Sequence, residues 1–459
     1  MSETIDPRRG APSGFQPRAW GNRLVSSADA RVAVALAATF VLLMRADRFW
    51  SFFIDEWDTI AYRRHGGAAA FLAPHNGHLQ AVVIAIYRVL FATVGLRSYR
   101  PYEAVNVALQ IVLGVLLYRF ARKRVGPLIA LPAALVVVLN GDGWQVLLWA
   151  INIGFVVPMI SLVCCLMVLD RGASRRREVA VAGLLILALA SSGLGIATTV
   201  GVAVVVLLDA ERRRWALSVA IPAALYLAWF TLLRPTLLPP ASLRAIPGSG
   251  HQGDVGSFAT HLHLGSLPRY FLRSAEAACN AVVGRQPGAG YLALIVVAAV
   301  LIASLLIRRR VSREFVAVGA TLVTFWLMLD VARLNFAPPT GEAASRYVYP
   351  STFLVVLLLV EAVAGIQRHV RAGLPLAVLI ALSSCWVLHL DVKTIQRYRD
   401  GSVVATRDLS SRIRAGTCGP GAADGTVLDP MSAPTLTAGM YRAAVEDLGR
   451  PPGQSCTTR

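Results

Sequence analysis

The amino-acid sequence predicts an all-α polytopic membrane protein with about eleven transmembrane helices. Three observations support this prediction. The mean hydropathy of the chain is +0.58, only 15% of its 459 residues are charged, and arginine clusters alternate with apolar runs along its length. A soluble globular domain does not combine so low a charged fraction with so high a hydropathy.

The placement of the arginines explains the net charge of +19. After a basic N-terminal tail, basic clusters lie at 119–124, 170–178, 209–215, 308–314 and 367–371. Under the positive-inside rule these clusters face the cytoplasm, so the apolar runs between them cross the membrane in out-and-back pairs. The charge therefore indicates topology, and we expect no nucleic-acid partner.

A topology that satisfies this rule has its N-terminus in the cytoplasm and its C-terminus outside. The first apolar run is not followed by a small-residue cleavage site, so we interpret it as an uncleaved span. The predicted spans lie at 29–46, 102–119, 127–141, 149–169, 179–192, 195–209, 215–233, 289–307, 315–332, 347–365 and 374–391.

The chain thus divides into a cytoplasmic basic tail (1–28), a transmembrane domain (29–391) and a small outer tail (392–459). Two long outer loops, 47–101 and 234–288, interrupt the spans. The outer tail is rich in Gly, Ser, Pro and Thr, a composition that predicts a small appended element or partial disorder.

Cysteine usage leaves one alternative open in the outer tail. Cys418 and Cys456 can pair in an oxidising compartment or remain two free thiols. The cysteines within the predicted spans are interpreted as small apolar residues.

The first outer loop carries three acids, Asp55, Glu56 and Asp58, in the stretch SFFIDEWDTIAYRRHGG. Asp55 and Asp58 share a helix face at a spacing of three, whereas Glu56 points about 100° away. Neighbouring tryptophan and phenylalanine residues place this stretch at the membrane–water boundary. The acids therefore either pair with nearby arginines and hold the loop together, or act on molecules at the membrane surface.

Residues 79–94 form an apolar run that could be mistaken for a span. A span at that position would move the 119–124 cluster to the outside, against the positive-inside rule. We therefore predict an amphipathic helix along the outer surface, with Arg88 facing the headgroups.

Four features of this region together resemble the GT-C superfamily of integral-membrane glycosyltransferases. They are the acid pair after the first span, the His-Asn-Gly-His-Leu turn at 75–79, the helix ending in LFATVGL, and the Arg-Pro start of the second span. The resemblance is nearest to protein O-mannosyltransferases and lipid A aminoarabinose transferases, whose corresponding turn reads His-Pro-Pro-Leu. The variant turn is similar to that of a group of actinobacterial membrane proteins, and the match covers residues 45–125.

The resemblance implies a hexosyl- or pentosyltransferase that takes its sugar from a polyprenyl-phosphate donor. The acceptor would be a hydroxyl of a glycan, lipid or protein at the outer face of the cell membrane. In this interpretation Asp55 is the catalytic base, and Glu56 binds the acceptor or supports Asp55. Arg88 and Arg346 are the predicted contacts to the donor phosphate, with Tyr347 beside Arg346. Alternatively, the Arg346–Tyr347 pair anchors a span at the interface.

Asp58, His75 and His78 are predicted to bind substrate, and they could also hold a divalent metal such as Mg, Mn or Ca. Loop histidines without such a role are usually solvated. A second, weaker metal cue is the His261–His263 pair in the large outer loop. The sequence indicates no other cofactor.

Two further functions stay open at this point. A flippase or transporter of lipid-linked sugars would carry ionisable residues inside its spans, where this chain has few, such as Glu103, Asp330, Glu361 and His389. A polymerase or ligase of surface polysaccharide would use a large late loop, for which 234–288 is the candidate. Neither the sugar nor the acceptor can be identified from the residues.

Overall fold

The structure is a computed structural model that describes most of the chain. The described residues are 27–46, 51–75, 77–171, 174–208, 210–237, 265, 267–284, 288–307, 311–333, 345–369, 373–418, 423–429, 433–452 and 454. The predicted basic tail up to residue 26, His261, His263 and Cys456 lie outside them.

Seventeen α-helices and one two-stranded sheet make up the regular structure of the described residues, beside short 3₁₀ and π turns. The helices are α1 (Ser27–Ala46), α2 (Asp55–Arg63), α3 (Ala68–Leu72), α4 (Ala81–Thr93), α5 (Arg100–Val125), α6 (Pro127–Val138), α7 (Trp144–Leu148), α8 (Ile153–Leu169), α9 (Arg175–Leu189), α10 (Leu194–Leu208), α11 (Ala216–Ala228), α12 (Leu267–Val282), α13 (Gly290–Ile307), α14 (Arg313–Arg333), α15 (Ser345–His369), α16 (Gly373–Cys418) and α17 (Ala438–Leu448). The strands are β1 (Val427–Asp429) and β2 (Ala433–Thr437).

The predicted all-helical polytopic architecture is confirmed. Within the described residues, 8 helical stretches are long and apolar enough to cross a membrane. They are Arg100–Val125, Pro127–Leu148, Ala150–Leu169, Arg213–Leu237, Gly290–Ile307, Arg313–Val331, Ser345–Gln367 and Val378–Cys418. The three other predicted spans coincide with α1, α9 and α10, which are shorter or more polar helices.

Helix α5 connects the first outer loop at one end of the helix bundle to the 119–124 cluster at the other end. It begins with the Arg100–Pro101 pair, where proline is tolerated because the first helical N–H groups need no partner. It ends before Gly126, whose φ of 79° is accessible to glycine. Its 26 residues extend about 39 Å, enough to cross the hydrocarbon core. The first loop and the 119–124 cluster therefore lie at opposite membrane faces, as the arginines predict.

Arg124, at the basic end of the bundle, is paired with two carboxylates. Arg124 binds Glu361, and its guanidinium lies 3.2 Å from the Asp170 carboxylate. The Ser312 hydroxyl donates to the second oxygen of Glu361 at 2.9 Å. A buried carboxylate is stable only with such partners. These contacts join the ends of α5, α8 and α15.

The outer tail contains more regular structure than its composition predicts. Helix α16 continues without a break to Cys418, and a β-hairpin and α17 follow. Ile395, Leu409 and Ile413 are buried along this extension, so an apolar stripe holds it in place. Cys418 is disulfide-bonded, whereas Cys164, Cys165, Cys279 and Cys385 are free.

The described residues between 423 and 454 form a C-terminal cap that packs on the first outer loop. The Tyr441 ring lies 5.7 Å from the Trp57 ring, and the Asp447 carboxylate accepts from Arg64 Nε at 2.8 Å. The N–H of Leu96 donates to the Leu448 carbonyl at 2.8 Å. The tail thus packs against the first loop.

Gly95 is the tightest contact between the first loop and the cap. Its φ is +64°, and a Cβ there would lie 2.1 Å from the Leu448 carbonyl oxygen. We expect Gly95→Ala to reduce the free energy of unfolding by at least about 2 kcal/mol, from backbone strain and displacement of α17. Thermal unfolding in detergent and proteolytic release of the cap measure this effect.

Gly67→Ala is the matched control for this substitution. Gly67 lies in the same loop with a φ of −78°, and an added Cβ meets nothing within 4 Å. An unchanged melting temperature and protease pattern in Gly95→Ala would contradict the docking of the cap on the loop.

Candidate functional site

A strained turn opens helix α2 immediately before the first acid. Ile54 has a φ of 40° and is the non-glycine residue with a positive φ in the described part of the chain. A β-branched residue rarely adopts this conformation. Two backbone hydrogen bonds hold it, from Glu56 N–H to Phe53 at 3.1 Å and from Trp57 N–H to Ile54 at 3.0 Å. Strain of this kind concentrates at functional sites.

Glu56 points into the protein and is fully buried. Its Oε1 accepts from the hydroxyls of Tyr87 at 2.5 Å and Tyr99 at 2.8 Å. Its Oε2 accepts from the Phe53 N–H at 2.9 Å. Burial raises the pKa of Glu56 to about 7, although these hydrogen bonds oppose the rise. Hydrogen bonds thus hold Glu56 inside the protein, next in the chain to Asp55, and its two roles, binding the acceptor or supporting Asp55, stay predictions.

Asp55 faces outward and lies near the side chains of Arg346 and His75, of which Arg346 comes from a distant part of the chain. Its Oδ2 lies 3.5 Å from Arg346 Nη1 and 3.9 Å from His75 Nε2. The Asp55 side chain is 14% exposed and the Arg346 side chain 26%, so both can be reached by a molecule at the membrane face. We call Asp55, His75 and Arg346 the surface cluster.

Helix α7 fixes the position of Arg346 at the start of α15. The Gln145 N–H donates to the Ser345 hydroxyl at 3.0 Å, and the Gln145 side-chain carbonyl accepts from the Arg346 N–H at 3.1 Å. The Arg346 guanidinium lies 5.3 Å from the centre of the Tyr347 ring, the neighbour expected from the sequence. Gln145 itself was not predicted, because a single glutamine after a turn carries no recognisable motif.

The predicted histidine turn places His75 beside Asp55. The backbones of His75 and His78 exchange two hydrogen bonds of 2.9 and 3.0 Å. Arg63 braces the turn by donating to the carbonyls of Ala73 at 2.9 Å and Pro74 at 2.7 Å. His75 is buried, and its Nδ1 has no hydrogen-bond partner among the described residues.

The predicted metal site at Asp58, His75 and His78 is not formed. In the described part of the chain, no three His, Cys, Asp or Glu side chains are grouped so that they could hold a metal ion. His75 faces Asp55. The His78 ring packs closely on Gly193 instead, since a Cβ added at Gly193 would lie 2.7 Å from this ring. Asp58 is buried near Arg63. Burial lowers the pKa of Arg63 to about 10, and the negative charge of Asp58 opposes this lowering.

Arg88 does not join the surface cluster. It lies on α4, the helix predicted at 79–94, but its Nε donates to the Arg63 carbonyl at 2.9 Å and its Nη2 to the His65 carbonyl at 2.6 Å. Its guanidinium also lies 4.2 Å from the centre of the Phe71 ring. These contacts direct Arg88 to the backbone of the first loop and away from Asp55.

Together, the helices and the surface cluster define a polytopic membrane protein with a charged site at one membrane face. No protein-family model and no curated protein matches the chain. One similar solved structure is that of ArnT from Cupriavidus metallidurans bound to undecaprenyl phosphate. The match covers 85% of this chain and 81% of that chain, with 14% sequence identity and a TM-score of 0.48. Such a likeness assigns neither a substrate nor a reaction, so the function has to be inferred from this chain's own residues.

The raised pKa of Glu56 predicts a pH-dependent stability. In the folded protein Glu56 keeps its proton up to a pH of about 7, whereas the ordinary pKa of a glutamate is 4.5. Between these values only the folded state binds the proton, so stability falls as the pH rises through this window and levels off above it. The loss from Glu56 is at most about 3 kcal/mol.

Glu56→Gln should make the decrease in thermal unfolding midpoint between pH 5 and pH 8 smaller than in the wild type, because glutamine stays neutral throughout. Glu446→Gln, which removes an exposed carboxylate in the cap, should keep the wild-type slope. A Glu56→Gln protein with the full wild-type slope would show that Glu56 is already ionised in the folded state at pH 5.

Proposed function

We propose that this protein is a membrane glycosyltransferase that uses a polyprenyl-phosphate-linked sugar. It transfers the sugar to an acceptor hydroxyl at the outer face of the cell membrane, in the assembly of a cell-envelope glycan or glycoconjugate. The observation that carries the proposal is the surface cluster, in which the Asp55 carboxylate lies 3.5 Å from Arg346 and 3.9 Å from His75. It combines a candidate base and a candidate phosphate ligand at one membrane face.

Asp55 is the proposed general base. The acceptor oxygen attacks the anomeric carbon of the donor, and its proton passes to the Asp55 carboxylate. The bond between the sugar and the phosphate breaks, and the phosphate leaves with the electron pair. His75 positions Asp55 from the buried side, since its Nε2 faces the same carboxylate oxygen.

Arg346 is the proposed ligand of the donor phosphate. A guanidinium fits phosphate oxygens with two parallel hydrogen bonds. Arg346 also lies in the first turn of the 25-residue helix α15, where the helix dipole favours an anion. A phosphate bound to Arg346 competes with Asp55 for the guanidinium. The nearby negative charge then raises the basicity of Asp55, so donor binding prepares the base.

The alternative functions have less support from the described residues. A flippase needs ionisable side chains that face a cavity within the spans. Glu361 is instead bound by Arg124 and Ser312, and Asp330 accepts from the Ser274 hydroxyl at 3.0 Å. The polymerase or ligase alternative depends on the loop 234–288, most of which lies outside the described residues.

Asp55→Asn should reduce sugar transfer by at least about 100-fold, because an amide cannot accept the proton. The measurement is transfer of labelled mannose or arabinose from polyprenyl phosphate in isolated membranes. Glu446→Gln, an exposed carboxylate at the same face, serves as the control and should keep full activity. Equal rates in Asp55→Asn and wild type would remove Asp55 as the base. Movement of the lipid between leaflets without transfer would favour the flippase.

Arg346→Gln should raise the KM for the donor and reduce kcat/KM by about 10- to 100-fold, the range expected for loss of a charged hydrogen bond. Arg346→Lys should recover only part of this loss, because an ammonium group cannot make the two-pronged contact. Neutralising Arg175, an exposed residue at the opposite face, should leave the donor KM unchanged. A wild-type donor KM in Arg346→Gln would exclude the phosphate contact.

A further inference from the structure

A second positively charged site lies at the membrane face opposite the surface cluster. It is a cavity of about 490 Å³ lined by Arg119, Arg122, Lys123, Met167 and Arg171. The first three residues come from the last turns of α5, at a spacing that places them on one face of the helix. Met167 lies in the last turn of α8, and Arg171 lies in the turn that follows this helix. We call this cavity the basic pocket.

The positive charge in the basic pocket is mostly uncompensated. Arg122 binds Asp29 at the start of α1. In the part of the chain that the structure describes, Arg119, Lys123 and Arg171 form no ion pair. Like charges this close repel one another, so a bound anion would stabilise the pocket.

The depth of the pocket places it beside lipid headgroups. Helix α5 starts next to Tyr99, which binds Glu56, the neighbour of Asp55 in the chain, and Arg122 follows about 35 Å further along the helix axis. This distance slightly exceeds the hydrocarbon thickness, so the guanidinium lies at the headgroups of the other leaflet. The arginine distribution predicts that this leaflet is cytoplasmic.

An exposed apolar residue of α5 lies on the side of the pocket that faces the middle of the helix. Val112 is 44% exposed and lies two helical turns before Arg119 on the same face of α5. Met167 supplies an apolar wall inside the pocket itself. A molecule with a phosphate at one end and an acyl chain at the other fits this arrangement better than a free anion.

We infer that the basic pocket binds the phosphate-bearing headgroup of an anionic phospholipid of this leaflet. The headgroup phosphate lies among Arg119, Lys123 and Arg171, and an acyl chain follows α5 past Val112. Basic pockets between transmembrane helices on the cytoplasmic side are suited to such headgroups. The bound lipid would join the ends of α1, α5 and α8 and is independent of the proposed sugar transfer.

The test compares phospholipid binding to the purified full-length protein in a nonionic detergent. Native mass spectrometry gives the Kd of the first phosphatidylglycerol bound, with phosphatidylcholine as the zwitterionic reference. The double variant Arg119→Gln/Lys123→Gln should weaken the first phosphatidylglycerol by about 10- to 30-fold. Both side chains are exposed and their removal relieves like-charge repulsion, so the thermal midpoint of the double variant without lipid should be no lower than that of the wild type.

Arg175→Gln/Arg176→Gln is the matched control, since it removes two exposed charges from the same membrane face outside the pocket. It should weaken phosphatidylglycerol by less than about threefold. Equal losses in the two double variants, or equal binding of both phospholipids to the wild type, would overturn the assignment. Displacement of phosphatidylglycerol by millimolar inorganic phosphate would also overturn it, in favour of a free-phosphate site.

Discussion

The buried carboxyl group of Glu56 ties together the segments from which the candidate site is built. It accepts hydrogen bonds from the Phe53 N–H before α2, from Tyr87 on α4, and from Tyr99 at the start of α5. The Tyr99 hydroxyl in turn accepts from the Ala150 N–H at 3.1 Å. A buried network of this kind is stable only when every member has its partner, so each segment fixes the position of the others. The outward direction of Asp55 depends on this arrangement.

Asp55 and Glu56 are adjacent, yet the fold gives them opposite environments. Successive side chains on a helix point about 100° apart, so a helix that begins at a surface can direct one acid outward and the next inward. Glu56 enters a shell of aromatic rings, in which Phe52 lies 5.1 Å from Tyr99. Asp55 stays at the membrane face beside Arg346. The strained Ile54 turn fixes which acid takes which direction.

The helices could be predicted because hydropathy and arginine placement determine which segments cross the membrane. The selection of Arg346, which lies beside Asp55, came from the family resemblance and not from these patterns. The buried role of Glu56 could not be assigned, because its tyrosine partners lie 31 and 43 positions away in sequence. The use of Arg88 inside the loop was unforeseen for a similar reason, since its acceptors are backbone carbonyls. Composition alone also concealed the ordered tail, whose apolar stripe is spread among polar residues.

The docking of the C-terminal cap has a consequence for how the protein is made. The hydrogen bond between Arg64 and Asp447 joins residues 383 positions apart. A ribosome adds about 5 to 20 residues per second, so the first loop waits roughly 20 to 80 s after its own synthesis before its cap exists. Throughout that interval the buried ring of Trp57 lacks the cover of Tyr441. A chain that stops before the cap would be inserted with its spans intact and an uncovered first loop, a surface that chaperones and proteases of that compartment can distinguish from the finished protein.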